Sequence, residues 1–187
     1  MLILGGANTF GLLSDFWSYT PSTGAGIWQK LSNSPMGQRE FQTMMWDSTD
    51  NQLYVFGGLD VNGQQQKDFY VFSTKASWSH ITPQSTNNPP PRQQGVAVWD
   101  SKDKVMLLFG GWEDGQGIPY WGLWAFDPKQ NAWGLLTPLN SSGAHILPGR
   151  TAAAMVWDAT DQHAYIYAGA GNGKAGSTLN DLWMVTG

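Results

Sequence analysis

The stretch REFQTMMWDSTDNQLYVFGG, residues 39–58, holds an arginine, an apolar run closed by Trp-Asp, a short polar turn, and a second apolar run closed by Gly-Gly. The same order returns from Arg92 as RQQGVAVWDSKDKVMLLFGG and from Arg150 as RTAAAMVWDATDQHAYIYAG. In each copy the arginine stands seven residues before the tryptophan, which is Trp46, Trp99 or Trp157. Self-similarity at a period of roughly fifty residues marks a repeat architecture, in which one unit is too thin to bury its faces and needs its neighbours.

Outward from that block the copies stay in register. The opening residues MLILGG match the run before Gly-Gly. A further loop leads to an aromatic run, DFWSYTP from Asp15, DFYVFST from Asp68, GLWAFDP from Gly122 and DLWMVTG from Asp181, and then to a lone tryptophan, Trp28, Trp78 or Trp133. Each repeat thus carries four short runs, A (arginine to Trp-Asp), B (before Gly-Gly), C (aromatic) and D (lone tryptophan). All are β-branched or aromatic and bounded by Gly, Pro, Asn or Asp, which reads as strand, and no window sustains a helical period. Four antiparallel strands recurring at this spacing make one blade of a radial propeller, whose sheets bury their faces against one another.

The pairs Gly5-Gly6, Gly57-Gly58 and Gly110-Gly111, the starts at Asp15 and Asp68, and Trp28, Trp78 and Trp133 resemble the kelch and galactose-oxidase-type propeller family across nearly the whole chain. The resemblance implies an all-β fold: a kelch-type β-propeller segment of about three and a half four-stranded blades. Its expected divisions are a partial blade at 1–34, blades at 35–87 and 88–142, and a partial blade at 143–187. Two departures, Ala168-Gly169 for Gly-Gly and Gly122 for Asp, read as local drift. The strand order BCD, ABCD, ABCD, ABC leaves three readings open: a piece of a longer propeller, a homodimer completing one ring, or a compact ring with two short blades.

Charged residues are 13% of the chain, the net charge is −4 and the sequence pI is about 5.1. Ten scattered cations do not form the basic stripe that nucleic-acid backbones require, so that partner class is excluded. The sequence holds no cysteine, hence no disulfide, thiolate metal site or cysteine nucleophile. His80, His145 and His163 show no ligand spacing, so no metal and no cofactor is expected. The opening MLILGG is neither a signal peptide nor a spanning helix, and no membrane insertion is expected. The low charge and the abundance of amide and hydroxyl side chains lean towards an extracellular or periplasmic setting.

Alternating strand direction sends the B-to-C and D-to-A loops to one end of a blade and the A-to-B turns to the other. The A-to-B turns are short and alike, whereas the other end carries the long, variable loops 7–14, 32–38, 59–67, 84–91, 112–121, 139–149 and 170–180. Binding concentrates on variable loops held by a rigid scaffold. In the loop after Gly111, Trp112, Tyr120 and Trp121 offer flat platforms beside the carboxylates of Glu113 and Asp114. Such groups suit sugar rings or peptide side chains, and equally suit packing of a blade edge. The resemblance places Arg39, Arg92 and Arg150 on the innermost strands, where their guanidinium groups either ring a channel mouth and take acidic ligands or serve as inter-blade struts.

The leading functional expectation is a non-catalytic module binding a protein, peptide or glycan through the long-loop end. Two alternatives stand beside it: part of a kelch-fold sugar-processing enzyme with acid-base chemistry at the channel mouth, and a passive spacer. Copper-oxidase chemistry of the galactose oxidase kind is excluded for this segment, which has no cysteine to cross-link to a tyrosine and no Tyr-His pair.

Overall fold

A computed structural model describes residues 1–75, 77–112, 117–136, 147–171 and 177–186. The described residues form strands and turns without a helix. The first sheet joins β1 (Leu2–Asn8), β2 (Gly11–Thr20) and β3 (Ile27–Lys30); the second joins β4 (Thr43–Asp47), β5 (Gln52–Phe56), β6 (Phe69–Ser73) and β7 (Ser77–His80). The third joins β8 (Val96–Asp100), β9 (Val105–Phe109), β10 (Leu123–Asp127) and β11 (Ala132–Leu135). A two-residue pair, β12 (Arg150–Thr151) with β15 (Ala170–Gly171), leads into the fourth, made of β13 (Ala154–Asp158), β14 (His163–Tyr167) and β16 (Leu182–Thr186). Within the four sheets every pairing is antiparallel and joins strands that follow one another in that sheet, which is the BCD, ABCD, ABCD, ABC order read from the repeat.

The near-continuous apolar runs follow from burial on both faces of the inner sheets. Side chains alternate along a strand, so Leu53 and Val55 of β5 face the first sheet while Tyr54 and Phe56 face the third. On β9, Met106 and Leu108 point to the second sheet, Leu107 and Phe109 to the fourth. The core is therefore three clusters, one between each pair of consecutive sheets. The A strands β4, β8 and β13 pack in a row, and backbone bonds Gln94 N to Phe41 O (3.0 Å) and Ala152 N to Gln94 O (3.1 Å) continue that row across the sheets.

Three recurring contacts explain the motifs. The amides of Gly6, Gly58 and Gly111 donate to the carbonyls of Arg39, Arg92 and Arg150 in the next repeat, at 2.8, 2.8 and 2.9 Å. The preceding glycines, Gly5, Gly57 and Gly110, are left-handed, and a Cβ on them would lie 2.6, 2.6 and 2.3 Å from those same carbonyls. Only glycine combines that dihedral with that approach. Ala168 takes the left-handed φ of 56° in the last repeat, where no later arginine of this sequence presses on it.

The lone tryptophan wedges against the C strand of the sheet before it. Trp78 lies 5.1 Å from Phe16 and Trp133 lies 5.2 Å from Phe69, whereas Trp28, in the first of the described sheets, is 50% exposed. The Trp-Asp tryptophans reach back as well: Trp99 Nε1 donates to Thr49 Oγ1 and Trp157 Nε1 to Ser101 Oγ, both at 3.0 Å. Their aspartates turn the chain, Asp47 and Asp100 accepting from two backbone amides each.

One expected loop differs. Residues 7–14 do not form a long loop but the end of a hairpin, paired out to Asn8 and Gly11. Asn8 Oδ1 accepts from Phe10 N at 2.8 Å and Gly11 has a φ of 126°, the turn chemistry that lets the strands run on. Phe10 is left at the tip, 97% exposed.

Candidate binding site at Arg92

Each repeat arginine enters its A strand from the D-to-A loop and points back under the B-to-C loop of its own sheet. All three are buried, with relative exposures of 5% for Arg39 and 1% each for Arg92 and Arg150. Each donates to the carbonyl eighteen residues on: Arg39 Nη1 to Gly57 (3.1 Å), Arg92 Nη1 to Gly110 (2.8 Å) and Arg150 Nη1 to Ala168 (3.0 Å). The side chains thus brace their own sheet, while the backbone carbonyls carry the bonds between sheets.

Arg39 and Arg150 then complete a two-pronged ion pair with the aspartate that opens the C strand. Arg39 holds Asp68 at 2.8 and 3.1 Å, and Arg150 holds Asp181 at 2.7 and 3.0 Å. Such paired forks offset the cost of burying a guanidinium. The Arg150 fork and, secondarily, the Trp183 indole hold the Asp181 carboxyl down at about 2 against the opposing effect of burial.

Arg92 has no such partner. Gly122 stands where Asp68 and Asp181 stand, and Arg92 Nη2 is buried without a hydrogen-bond acceptor among the described residues. Its Nε donates to Pro90 O at 3.2 Å, and its guanidinium lies 4.5 Å from the centre of the Tyr120 ring. Burial pulls its pKa down to about 10, so it still carries its charge at neutral pH. An uncompensated buried cation is costly unless something outside the chain answers it.

A cavity of about 300 Å³ adjoins this group, lined by Pro90, Arg92, Tyr120, Trp121, Trp124 and Leu135 beside Gly122. Trp121 and Leu135 are each 39% exposed and form an apolar rim. Trp124 Nε1 lies 3.0 Å from where a Cβ on Gly122 would stand. In the first and last repeats the equivalent indoles, Trp17 and Trp183, donate to Asp15 and Asp181 at 2.7 and 2.5 Å.

Of the residues singled out from sequence, the structure thus gathers Arg92, Tyr120 and Trp121 in one pocket. Trp112 is tied into backbone bridges with Gln93 and Pro119 rather than lining it. Arg39 and Arg150 sit in their own sheets with their forks occupied, and Glu113 and Asp114 lie outside the described residues. Sequence reasoning takes Gly122 for local drift and passes over Trp124 and Phe10. The signal for the first was present: an arginine kept in register while its aspartate was not.

Four consecutive antiparallel sheets coupled through their faces define the protein as a segment of a kelch-type propeller. The family model described as the KLHDC2/KLHL20/DRC7 Kelch-repeats domain matches residues 1–186, and the chain belongs to the kelch-repeat family. Among curated proteins it is similar to Mei4-dependent protein 6 of Schizosaccharomyces pombe, 25% identical over 70% of this chain and 20% of that protein. It is also similar to the human Rab9 effector protein with kelch motifs, 29% identical over 58% of this chain and 29% of that protein. The chain thus spans less than a third of the length of these relatives. The solved structure of YjhT shares the fold at a TM-score of 0.63 and 18% identity, covering 89% of this chain and 57% of YjhT.

Proposed function

We propose that this segment is an interaction module that engages a protein or peptide through the end formed by its B-to-C and D-to-A loops. One observation carries the reading: exposed apolar side chains stand on the B-to-C loops of three consecutive sheets, Phe10 (97%), Val61 (60%), Ile118 (52%) and Trp121 (39%). The A-to-B turns at the opposite end read DSTDNQ, DSKDKV and DATDQH, polar and closed on their own aspartates. Single exposed apolar residues are ordinary, but a set gathered at one end of a rigid scaffold suits partner contact. The human relative's name, an effector of Rab9, is in keeping with a binding role.

The test is capture of a partner by the purified chain and by two variants. Phe10→Ser with Trp121→Ser should abolish capture, and Lys102→Glu with Lys104→Glu, on the turn end, should leave it intact. Loss with the turn-end variant alone would place binding at the other end, and absence of any saturable protein or peptide ligand would leave a passive spacer.

A further inference from the structure

We propose that the Arg92 pocket is a binding site for the carboxylate of an external ligand with an apolar body, which completes the ion pair that Gly122 leaves open. Two repeats of this chain show the arrangement filled. In each, a carboxylate meets both Nη atoms of the arginine, and in the last repeat it also takes the indole Nε1 of the tryptophan two residues on. In the third repeat the arginine, its carbonyl bond to Gly110 and the tryptophan are all retained, and only the carboxylate is missing. The donor left over is Arg92 Nη2, in a residue that is 1% exposed.

In the other two repeats the carboxylate position faces solvent. The Asp68 and Asp181 side chains are 23% and 36% exposed, so the carboxylate sites they fill open towards solvent. At the third repeat the corresponding opening is the cavity of about 300 Å³, roomier than one carboxylate needs. Its walls are aromatic and aliphatic, Tyr120, Trp121, Leu135 and Pro90, which favours a carboxylate carried on an apolar group over a small hydrated anion. A planar acid suits the guanidinium fork better than a spherical ion does. Tyr120, its ring centre 4.5 Å from the guanidinium carbon, covers one side of the cation.

This gives a ligand chemistry to the end of the molecule proposed above and rests on that reading only for the natural partner. The probes are 3-phenylpropanoate, its uncharged amide, and a peptide blocked at both ends with one internal glutamate, titrated by calorimetry and by NMR of the Trp124 indole proton. The free acid should bind saturably and shift that proton, and the amide should bind at least about tenfold more weakly. Gly122→Asp, which supplies an internal carboxylate, should weaken the acid at least about tenfold while remaining folded; Arg92→Met should do the same. If the blocked peptide outcompetes the free acid, the source is an acidic side chain; if it is outcompeted, the source is a free acid or chain terminus. Equal binding of acid and amide, undiminished binding to Gly122→Asp, or no binding of any probe would overturn the proposal. Carboxylate binding that survives Phe10→Ser while partner capture also survives would sink the loop-end reading and leave the pocket standing.

Discussion

Gly122→Asp turns the third repeat into the pattern of the second and fourth, and its effect on stability follows from the geometry. Gly122 has no left-handed φ, so its backbone admits a side chain, and leaving glycine gains about 0.4–1 kcal/mol through the unfolded chain. Against this, the new Cβ meets Trp124 Nε1 at 3.0 Å and Leu135 Cδ1 at 3.2 Å, a crowding that costs about 1–2 kcal/mol. The carboxylate adds charge-assisted bonds to a buried, under-satisfied guanidinium, a gain of about 1.5–3 kcal/mol. The balance is a gain of about 1–2 kcal/mol, or about 3–6 °C in Tm for a chain of this length. Gly122→Asn has the same crowding and the same entropy without the charge, so the two variants isolate the ion pair. Urea unfolding should find the aspartate variant more stable than the asparagine variant by at least about 1 kcal/mol, with the difference vanishing in an Arg92→Met background. An aspartate variant no more stable than the asparagine one would refute the claim that Arg92 lacks a carboxylate partner among the described residues.

Three further outcomes are expected. Gly110→Ala, whose Cβ would lie 2.3 Å from Arg150 O, should cost about 3 kcal/mol or more in urea unfolding, whereas Gly6→Ala, with open space around it, should cost only the left-handed strain of about 1–2 kcal/mol. Trp133→Ala should cost about 3–5 kcal/mol by removing a buried wedge, while Trp28→Ala should be nearly neutral. Because the folded Asp181 carboxyl is held at about 2, below its unfolded value of 3.8, its contribution is fully present above pH 4 and is lost as pH falls towards 2; Asp181→Asn should flatten that part of the stability profile.

The fold was legible because both its signals are local. The period locates the sheets, and the doubled apolar runs, such as LYVF at 53–56, betray strands buried on two faces. What the Gly-Gly pairs do was only half legible: their turn chemistry can be read from type, but the carbonyl that crowds them belongs to a residue more than thirty positions away. The site was less legible still. Three arginines in register look alike in sequence, and their difference lies in whether a residue some thirty positions on carries a carboxylate. The 7–14 hairpin reads as a loop because the equivalent stretch of the other repeats is one, whereas Gly6 continues the pairing through a bulge and Asn8 supplies the turn.

Hydrogen exchange at three amides tests the coupling between sheets most directly. Gly6, Gly58 and Gly111 donate across consecutive repeats, so their protons should exchange only with global unfolding, at rates matching the central residues of β5 and β9. Exchange at these three as fast as at the exposed turn amides of Asn62 or Lys129 would mean that the repeats do not dock through their glycines and arginines.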